Sequence, residues 1–265
     1  MKSLTSALAI YGSFATTRQP LGISDICERT GLAKSQVSKV LSTFRDQGFL
    51  EQDPVTRKYR VGPMSFLVGV AYAQTHGLTR QALPIMREIA DRSGHSAVLT
   101  VREADTVFHL MAVEGQFFVD SRWRVGMSVP FHATAAGKIL TAYDEPEVLA
   151  RMIAVHGLPQ ITPKTITDPD ALALHLQAVR ACGSAVTAGE SAPGLVALAV
   201  PVFGETEQIR AALSFIMPQQ SYDPAAADIH VAELHSAARS LSFRLGAETY
   251  PFGGAPAEFR RAESA

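Results

Sequence analysis

The first sixty residues are patterned as three short amphipathic helices. Apolar side chains recur at helical spacing over residues 4–15 and again over residues 34–47, and a shorter helix is predicted at residues 25–30. Ser24 is the expected N-cap of this short helix, and Gly31 is its expected stop. The second and third helices therefore form a tandem pair joined by a tight turn.

A small hairpin is predicted directly after the third helix. Residues 49–52 and 58–61 have the composition of strands and flank a turn at residues 53–56. Tandem helices followed by a two-stranded wing make a winged helix-turn-helix. We assign this domain to residues 1–62.

An apolar stripe runs along residues 63–78, a segment too short to be a domain. It predicts a linker helix, and an apolar stripe on a linker indicates that the helix packs against a partner. Helix-turn-helix heads read two half-sites about 34 Å apart as a pair, so we expect dimerisation through this region.

Residues 79–246 alternate strands and helices in an order that predicts an α+β domain. The predicted strands are 95–101, 106–113, 117–122, 185–187, 195–201 and 209–216. The predicted helices are 79–93, 134–143, 145–155, 168–181 and 224–245. Hairpins at both ends with helices between them predict a mostly antiparallel sheet. The segment 247–265, rich in Pro, Gly, Ala and charge, is expected to be a flexible tail.

Charge is distributed unevenly along the chain. The 265 residues carry a formal net charge of −1, but residues 1–62 hold nine Lys/Arg against five Asp/Glu, and the remainder is acidic. A basic head suits a polyanionic partner, and hydroxyl, amide and basic side chains suit base edges and phosphates. The alternative is an ordinary solvated helix face and hairpin. The predicted contacts with double-stranded DNA are Lys34, Ser35, Gln36, Ser38, Lys39, Thr43, Arg57 and Lys58.

Signals for catalysis, metal binding and membrane insertion are missing from the sequence. No G-x-S-x-G, G-x-G-x-x-G or P-loop phrase occurs, the eight histidines are scattered, and the two cysteines form no C-x-x-C clip. His95 and His109 lie in predicted strands and are expected to be core residues rather than zinc ligands. No apolar run approaches the roughly 20 residues needed to span a bilayer. We therefore expect no catalytic residue, no metal, no cofactor and no membrane partner, and a cytoplasmic location.

Three phrases carry a family resemblance. They are VPFHATAAGKILTA at residues 129–142, ITPKTITDPDAL at 161–172 and CGSAVTAGESAPGLVALAVPVF at 182–203. Together with the winged head, they resemble the isocitrate lyase regulator (IclR) family of bacterial transcription factors over about residues 3–246. The resemblance implies a DNA-binding head joined by a helix to a GAF-like domain that binds a small organic acid. It also implies homodimers, often paired as tetramers on the operator.

The same resemblance implies an effector site at the loop that leads into the predicted helix at residues 134–143. A helix N-terminus offers unpaired amides and partial positive charge, and small residues there leave room for a ligand. They would equally allow the helix to pack tightly on the sheet. The predicted effector contacts are Trp123, His132, Ala135, Ala136, Gly137, Thr187, Glu190, Ala197, Ser214 and Ile216. For Trp123 the alternative is plain packing, and for His132 it is a structural role in orienting the loop.

This chain departs from the family where polar groups are usual. Thr187, Ala188 and Gly189 stand where acids often precede Glu190, and Ala197 stands where a cysteine or another polar side chain is common. These departures favour an effector with an aromatic or apolar body and one acidic or carbonyl end. The leading hypothesis is a ligand-responsive repressor or activator. The alternative is a small-molecule sensor or enzyme whose basic head is a protein-interaction module.

Overall fold

The computed structural model describes residues 2–15, 17, 19–116, 125–206 and 208–253. It divides into two compact units, Met1–His76 and Gly77–Ala265. The first unit contains α1 (Lys2–Gly12), α2 (Ile23–Thr30), α3 (Lys34–Asp46), β1 (Leu50–Gln52), β2 (Tyr59–Val61) and α4 (Pro63–Thr75). The second contains α5 (Gly77–Ser93), β3 (Ser96–Glu103), β4 (Thr106–Val113), α6 (Ala135–Ala142), α7 (Pro146–His156), α8 (Pro169–Cys182), β5 (Ala185–Ala188), β6 (Leu195–Phe203), β7 (Ile209–Pro218) and α9 (Ala227–Arg244).

The first unit is a winged helix-turn-helix, as the sequence predicts. Strands β1 and β2 pair antiparallel, with Leu50 opposite Val61. A separate bridge joins Leu21 to Tyr59 and so ties the segment before α2 to the wing. The core consists of apolar residues from α1, α2, α3, the wing and the segment between α1 and α2, namely Ile10, Phe14, Leu21, Ile26, Val37, Leu41, Leu50 and Tyr59. This small core holds the outer face of α3 in place.

The second helix begins two residues earlier than expected, at Ile23 rather than Asp25, with a different cap. The carboxylate of Asp25 accepts the backbone amide of Gly22 at 2.8 Å, and Gly22 is the N-cap residue. Ser24 is therefore not the N-cap, because the acid one position later satisfies the helix start instead. Gly31 ends the helix with φ of 69°, a left-handed conformation that glycine adopts without steric cost.

The second unit is built on a five-stranded sheet with the order β4-β3-β7-β6-β5, in which every neighbouring pair is antiparallel. Helices α5 and α9 pack on one face, and α6, α7 and α8 contribute to the core on the other. Because both faces are covered, β6 and β7 are almost wholly buried and their sequences are nearly continuous apolar runs. The predicted α+β class and antiparallel sheet are confirmed.

Two expectations about the second unit need correction or restriction. Residues 247–253 do not project from the domain, because the hydroxyl of Tyr250 donates to the carbonyl oxygen of Pro201 and Phe252 stacks on His235. The expected tail is thus partly docked, since its aromatic side chains find an apolar surface beside α9. The predicted strand at residues 117–122 lies outside the described residues.

Helix α4 has an unusual surface. It contains no charged residue, and none of its side chains is buried within the chain. Its exposed large apolar residues are Met64, Phe66, Leu67, Val68 and Tyr72. No helix in the described part of the chain is both long enough and apolar enough to cross a membrane.

Candidate functional site

The predicted DNA-contacting residues lie together on the outer side of the first unit. All are exposed except Gln36, which is half-buried. Val37 and Leu41 anchor α3 in the core, so the polar residues between them face outward. Thr43 turns its hydroxyl to its own helix and donates to the carbonyl oxygen of Lys39 at 3.1 Å. This leaves the Thr43 oxygen available only as an acceptor.

Six of the positive charges on this unit fall into two groups. Arg45 pairs with Asp46 at 2.7 Å and Arg60 pairs with Glu51 at 2.8 Å, so these two are neutralised locally. The four predicted DNA-contacting cations make no ion pair within the described residues, and they are Lys34, Lys39, Arg57 and Lys58. Unpaired charge is thus concentrated on the N-terminal half of α3 and at the tip of the wing.

The tip of the wing is a closely bonded turn. The carboxylate of Asp53 accepts the amides of Val55 at 2.9 Å and Thr56 at 2.6 Å, and these bonds lower the pKa of Asp53, with the Thr56 bonds having the largest effect. Arg57 follows in the left-handed region with φ of 61°, a conformation uncommon for a residue with a Cβ atom. The turn therefore holds Arg57 in a defined backbone position.

A cavity of about 580 Å³ lies in the second unit between the sheet, the start of α6 and two loops. This volume is typical of a small-molecule site. Its lining residues are His109, Met127, Ser128, Val129, Pro130, Thr134, Ala135, Ala136, Ser191, Ala192, Pro193, Gly194, Leu195, Ala197, Ser214, Ile216, Pro218 and Gln220. None of them carries a formal charge, apart from any protonation of His109.

The N-terminus of α6 forms one end of the cavity. Thr134 is the N-cap and accepts the amide of Gly137 at 3.1 Å, while its own hydroxyl donates to the carbonyl oxygen of Pro130 at 2.8 Å. Helix geometry leaves the amides of Ala135 and Ala136 without an acceptor inside the helix. The partial positive charge of the helix end is therefore directed to a cavity whose other described lining residues are neutral.

Of the ten predicted effector residues, the structure places five in the cavity wall. These are Ala135, Ala136, Ala197, Ser214 and Ile216. Ser214 is buried, and its hydroxyl donates to the carbonyl oxygen of Val98 at 3.1 Å, so toward the cavity it offers an acceptor. Trp123 lies outside the described residues.

Position 137 requires glycine for a structural reason, and Gly137 does not line the cavity. A Cβ atom at this position would lie 2.5 Å from the carbonyl oxygen of Phe131 and 2.7 Å from Oγ1 of Thr134. The glycine is therefore required for the loop to turn closely into α6, which is the tight-packing alternative considered above.

Thr187, Glu190 and His132 also lie away from the cavity wall. Glu190 binds Lys138 instead, with 2.6 Å between Oε2 and Nζ, and the lysine side chain is 0% exposed. His132 is buried and donates from Nε2 to the carbonyl oxygen of Pro159 at 3.0 Å, which supports the structural role considered for it. Thr187 is buried on the edge strand β5 opposite Ala197.

The residues that the sequence prediction missed are mostly in loops. Met127 to Pro130 run antiparallel to β4, through hydrogen bonds between residues 107 and 129 and between residues 109 and 127. Ser191 to Gly194 form a second wall between β5 and β6. Neither segment has a hydrophobic period that would have placed it at a site.

His109 is the most buried titratable group in the cavity wall. It is 3% exposed, its Nδ1 lies 2.9 Å from Oγ1 of Thr100, and burial lowers its pKa to about 4. It is therefore a neutral ring at physiological pH. The described residues contain no group of three or more side chains suited to holding a metal ion.

Comparison with known proteins identifies similar sequences over most of the chain. The IclR helix-turn-helix domain matches residues 3–54, and the C-terminal domain of the bacterial transcriptional regulator IclR matches residues 70–243. The HTH-type transcriptional regulator BhcR of Paracoccus denitrificans is 31% identical over 243 residues, which cover 92% of this chain and 87% of BhcR.

Solved structures agree in fold. An IclR transcriptional regulator from Silicibacter sp. TM1040 superposes with a TM-score of 0.84 at 26% identity, over 94% of this chain and 98% of that chain. An IclR homologue from Microbacterium hydrocarbonoxydans, in complex with 4-hydroxybenzoate, superposes with a TM-score of 0.75 at 28% identity. That match covers 92% of this chain and 98% of the homologue.

The low pKa of His109 predicts that stability falls on acidification. Its folded pKa of about 4 lies below the value of about 6.5 in unfolded chains, so the unfolded state binds more protons between these pH values. The free energy of unfolding of the second unit should therefore decrease as pH falls from about 6.5 toward 4, by up to about 1.4 kcal/mol per pH unit for this group. Urea unfolding at several pH values measures this slope.

His109→Gln should reduce that slope, and the exposed His156→Gln variant is the matched control. His235, whose pKa burial also lowers to about 4, adds a loss of the same sign, so the slope should diminish rather than vanish. An unchanged slope in His109→Gln would contradict the assignment.

Proposed function

The chain belongs to the IclR family of bacterial transcriptional regulators, and we propose that it grips operator DNA through α3 and the tip of its wing. It is a ligand-responsive DNA-binding regulator and not an enzyme, because both of its domains match those of transcriptional regulators. The proposed contacts rest on one observation. The four predicted DNA-contacting cations make no ion pair within the described residues, whereas Arg45 and Arg60 do. Since the DNA it regulates lies in the bacterial cytoplasm, we place the protein there.

In this proposal, α3 enters the major groove. Lys34, Ser35, Gln36, Ser38, Lys39 and Thr43 contact base edges and phosphates. Arg57 and Lys58 at the wing reach flanking phosphates or the minor groove. The four cations make no ion pair with any residue that the structure describes, which supports this role because no such carboxylate has to be displaced before a phosphate binds. A basic protein-interaction module, the alternative function, would not need hydroxyl and amide side chains at this spacing.

We propose that the effector is an acid with an aromatic or apolar body. The cavity wall is mainly apolar, and its uncharged side chains provide no ion pair for the acid. The acid group would bind at the start of α6, where the amides of Ala135 and Ala136 are directed outward. The ring would lie against Ala197, Ser214 and Ile216, whose small or apolar side chains leave a wide floor. The 4-hydroxybenzoate bound by the Microbacterium homologue has this chemistry.

The proposed functional assembly is a homodimer joined through α4, with a tetramer as a pair of such dimers on the operator. Five large apolar side chains of α4 are exposed, including Phe66 at 71% and Leu67 and Val68 at 56% each. A helix with no charge and no buried face in the chain alone gains most by packing against a second copy. Pairing would also supply the two heads that a palindromic operator requires.

Removal of the unpaired cations should weaken DNA binding. Lys39→Ala and Arg57→Ala should each reduce affinity for duplex from the protein's own promoter region by about tenfold and flatten its salt dependence, because one phosphate or base contact is lost. Fluorescence anisotropy over a range of salt concentrations measures both quantities. Arg87→Ala, which removes an exposed arginine of α5, is the control. Wild-type affinity in a Lys34/Lys39/Arg57 triple alanine variant would refute these contacts.

The cavity should discriminate between classes of acid. 4-Hydroxybenzoate and benzoate should bind at least about tenfold more tightly than glyoxylate or pyruvate, because the ring buries apolar surface that the small keto acids lack. Ala197→Leu should fill the cavity floor and abolish this preference, whereas Val186→Leu on the edge strand should preserve it. Isothermal titration calorimetry measures each affinity. Tight binding of glyoxylate or pyruvate without binding of aromatic acids would show the proposed effector class to be wrong.

The exposed face of α4 should control assembly. Leu67→Glu should shift the sedimentation coefficient from that of a dimer toward that of a monomer, because a buried unpaired carboxylate in an interface is costly. Val55→Glu makes the same change at an 87% exposed residue in the wing turn and should leave the dimer intact. A wild-type protein that sediments as a monomer at micromolar concentration would rule out this interface.

A further inference from the structure

One wall of the effector cavity is a loop whose position depends on side chains. Residues 189–194, here called the lip, connect β5 to β6 and contribute Ser191, Ala192, Pro193 and Gly194 to the cavity. The amide of Gly189 donates to the carbonyl oxygen of Leu195 at 2.8 Å, which closes the loop at its base. A short loop with few backbone bonds opens readily unless side chains hold it.

The first contact that holds the lip is an ion pair with α6. Nζ of Lys138 lies 2.6 Å from Oε2 of Glu190, and the two side chains are 0% and 14% exposed. Lys138 lies one turn into the helix whose first residues, Ala135 and Ala136, line the same cavity. Because an ammonium group buried to this degree requires a counter-charge, the carboxylate of Glu190 is confined to one place.

The second contact comes from the segment before α8. Oγ1 of Thr162 donates to the carbonyl oxygen of Gly189 at 2.8 Å, and Oγ1 of Thr165 donates to that of Glu190, also at 2.8 Å. Thr165 in turn accepts the amide of Thr162 at 2.9 Å, so the two threonines support each other. Both are buried, where hydrogen bonds are protected from competing water.

We propose that these two contacts form a clamp that keeps the lip closed and thereby sets how long an effector is retained. Glu190 and Thr165 are positioning residues in this arrangement, since neither side chain lines the cavity. The retention part of the proposal rests on the effector site proposed above. The clamp explains why the HATAAGK and TPKT phrases, far apart in sequence, meet at one loop.

Hydrogen exchange of the ligand-free full chain tests the clamp directly. Thr165→Val removes the hydroxyl and should accelerate exchange of the amides of Gly189 and Leu195 about tenfold, while Thr165→Ser should preserve the wild-type rates. Thr141→Val is the matched control, because it removes a buried hydroxyl that donates to Gly137 on α6 and does not touch the lip. Unchanged lip exchange in Thr165→Val, or equal acceleration in Thr141→Val, would overturn the proposal.

Ligand release tests the functional consequence. With 4-hydroxybenzoate as the probe, stopped-flow release should be several-fold faster in Thr165→Val and in Glu190→Gln than in the wild type or Thr141→Val. Equal release rates despite a more open lip would overturn the retention role. If 4-hydroxybenzoate does not bind the wild type, the proposed effector class fails, whereas the exchange rates of the lip still decide whether the clamp exists.

Discussion

The buried ammonium group of Lys138 requires a counter-charge inside the protein, and the ion pair that supplies it organises several segments of the second unit. An unpaired buried charge costs several kcal/mol, so α6 cannot take its position on the sheet unless the carboxylate of Glu190 is brought to it. Glu190 lies on a loop, and the backbone of that loop is secured by Thr162 and Thr165 from the segment before α8. One ion pair and two threonine hydrogen bonds thus join three segments that are distant in sequence. Two of them, the start of α6 and the loop, line the cavity together with the sheet.

The two units are suited to bind anions by different means. In the first, Lys34, Lys39 and Arg57 are exposed and form no ion pair with the described part of the chain, which suits a polyanion whose counterions are released on binding. In the second, Lys138 and Glu190 are paired with each other, and the described residues that line the cavity carry no formal charge. Among the described residues, the N-terminus of α6 is the feature suited to a small anion, because its amides are already oriented and need no reorganisation when the ligand binds. Affinity for an apolar body then comes from burial rather than from charge.

Periodicity predicted most of the architecture, because most helices bury one face and the central strands are buried on both faces. Val37 and Leu41 revealed the inner face of α3, and the apolar runs of β6 and β7 revealed a sheet covered on both sides. The site was predicted less well. Resemblance to a family brought attention to Gly137 and Glu190, yet it does not say what a residue touches. Gly137 is required by the backbone of Phe131, and Glu190 by Lys138. The loop before α6 was expected to form the site, but its residues 127–130 were not identified, because their contacts are set by tertiary pairing with β4 and leave no pattern in the sequence.

Regulation requires that the effector bind two conformations of the protein with different affinity, since a ligand that binds both equally shifts no equilibrium. Some walls of the cavity are too firmly held to change shape and so cannot produce a difference in effector affinity. The floor residues Ala197 and Ser214 belong to central strands whose antiparallel registers are fixed by hydrogen bonds on both sides. The start of α6 is held by Thr134 and by the close approach of Phe131 to Gly137. The remaining walls are loops, and of these the lip is joined to α6 by a single ion pair. A change in cavity shape that distinguishes two conformations therefore requires the loops to move. The free energy that this movement costs is set by the contacts that hold the loops.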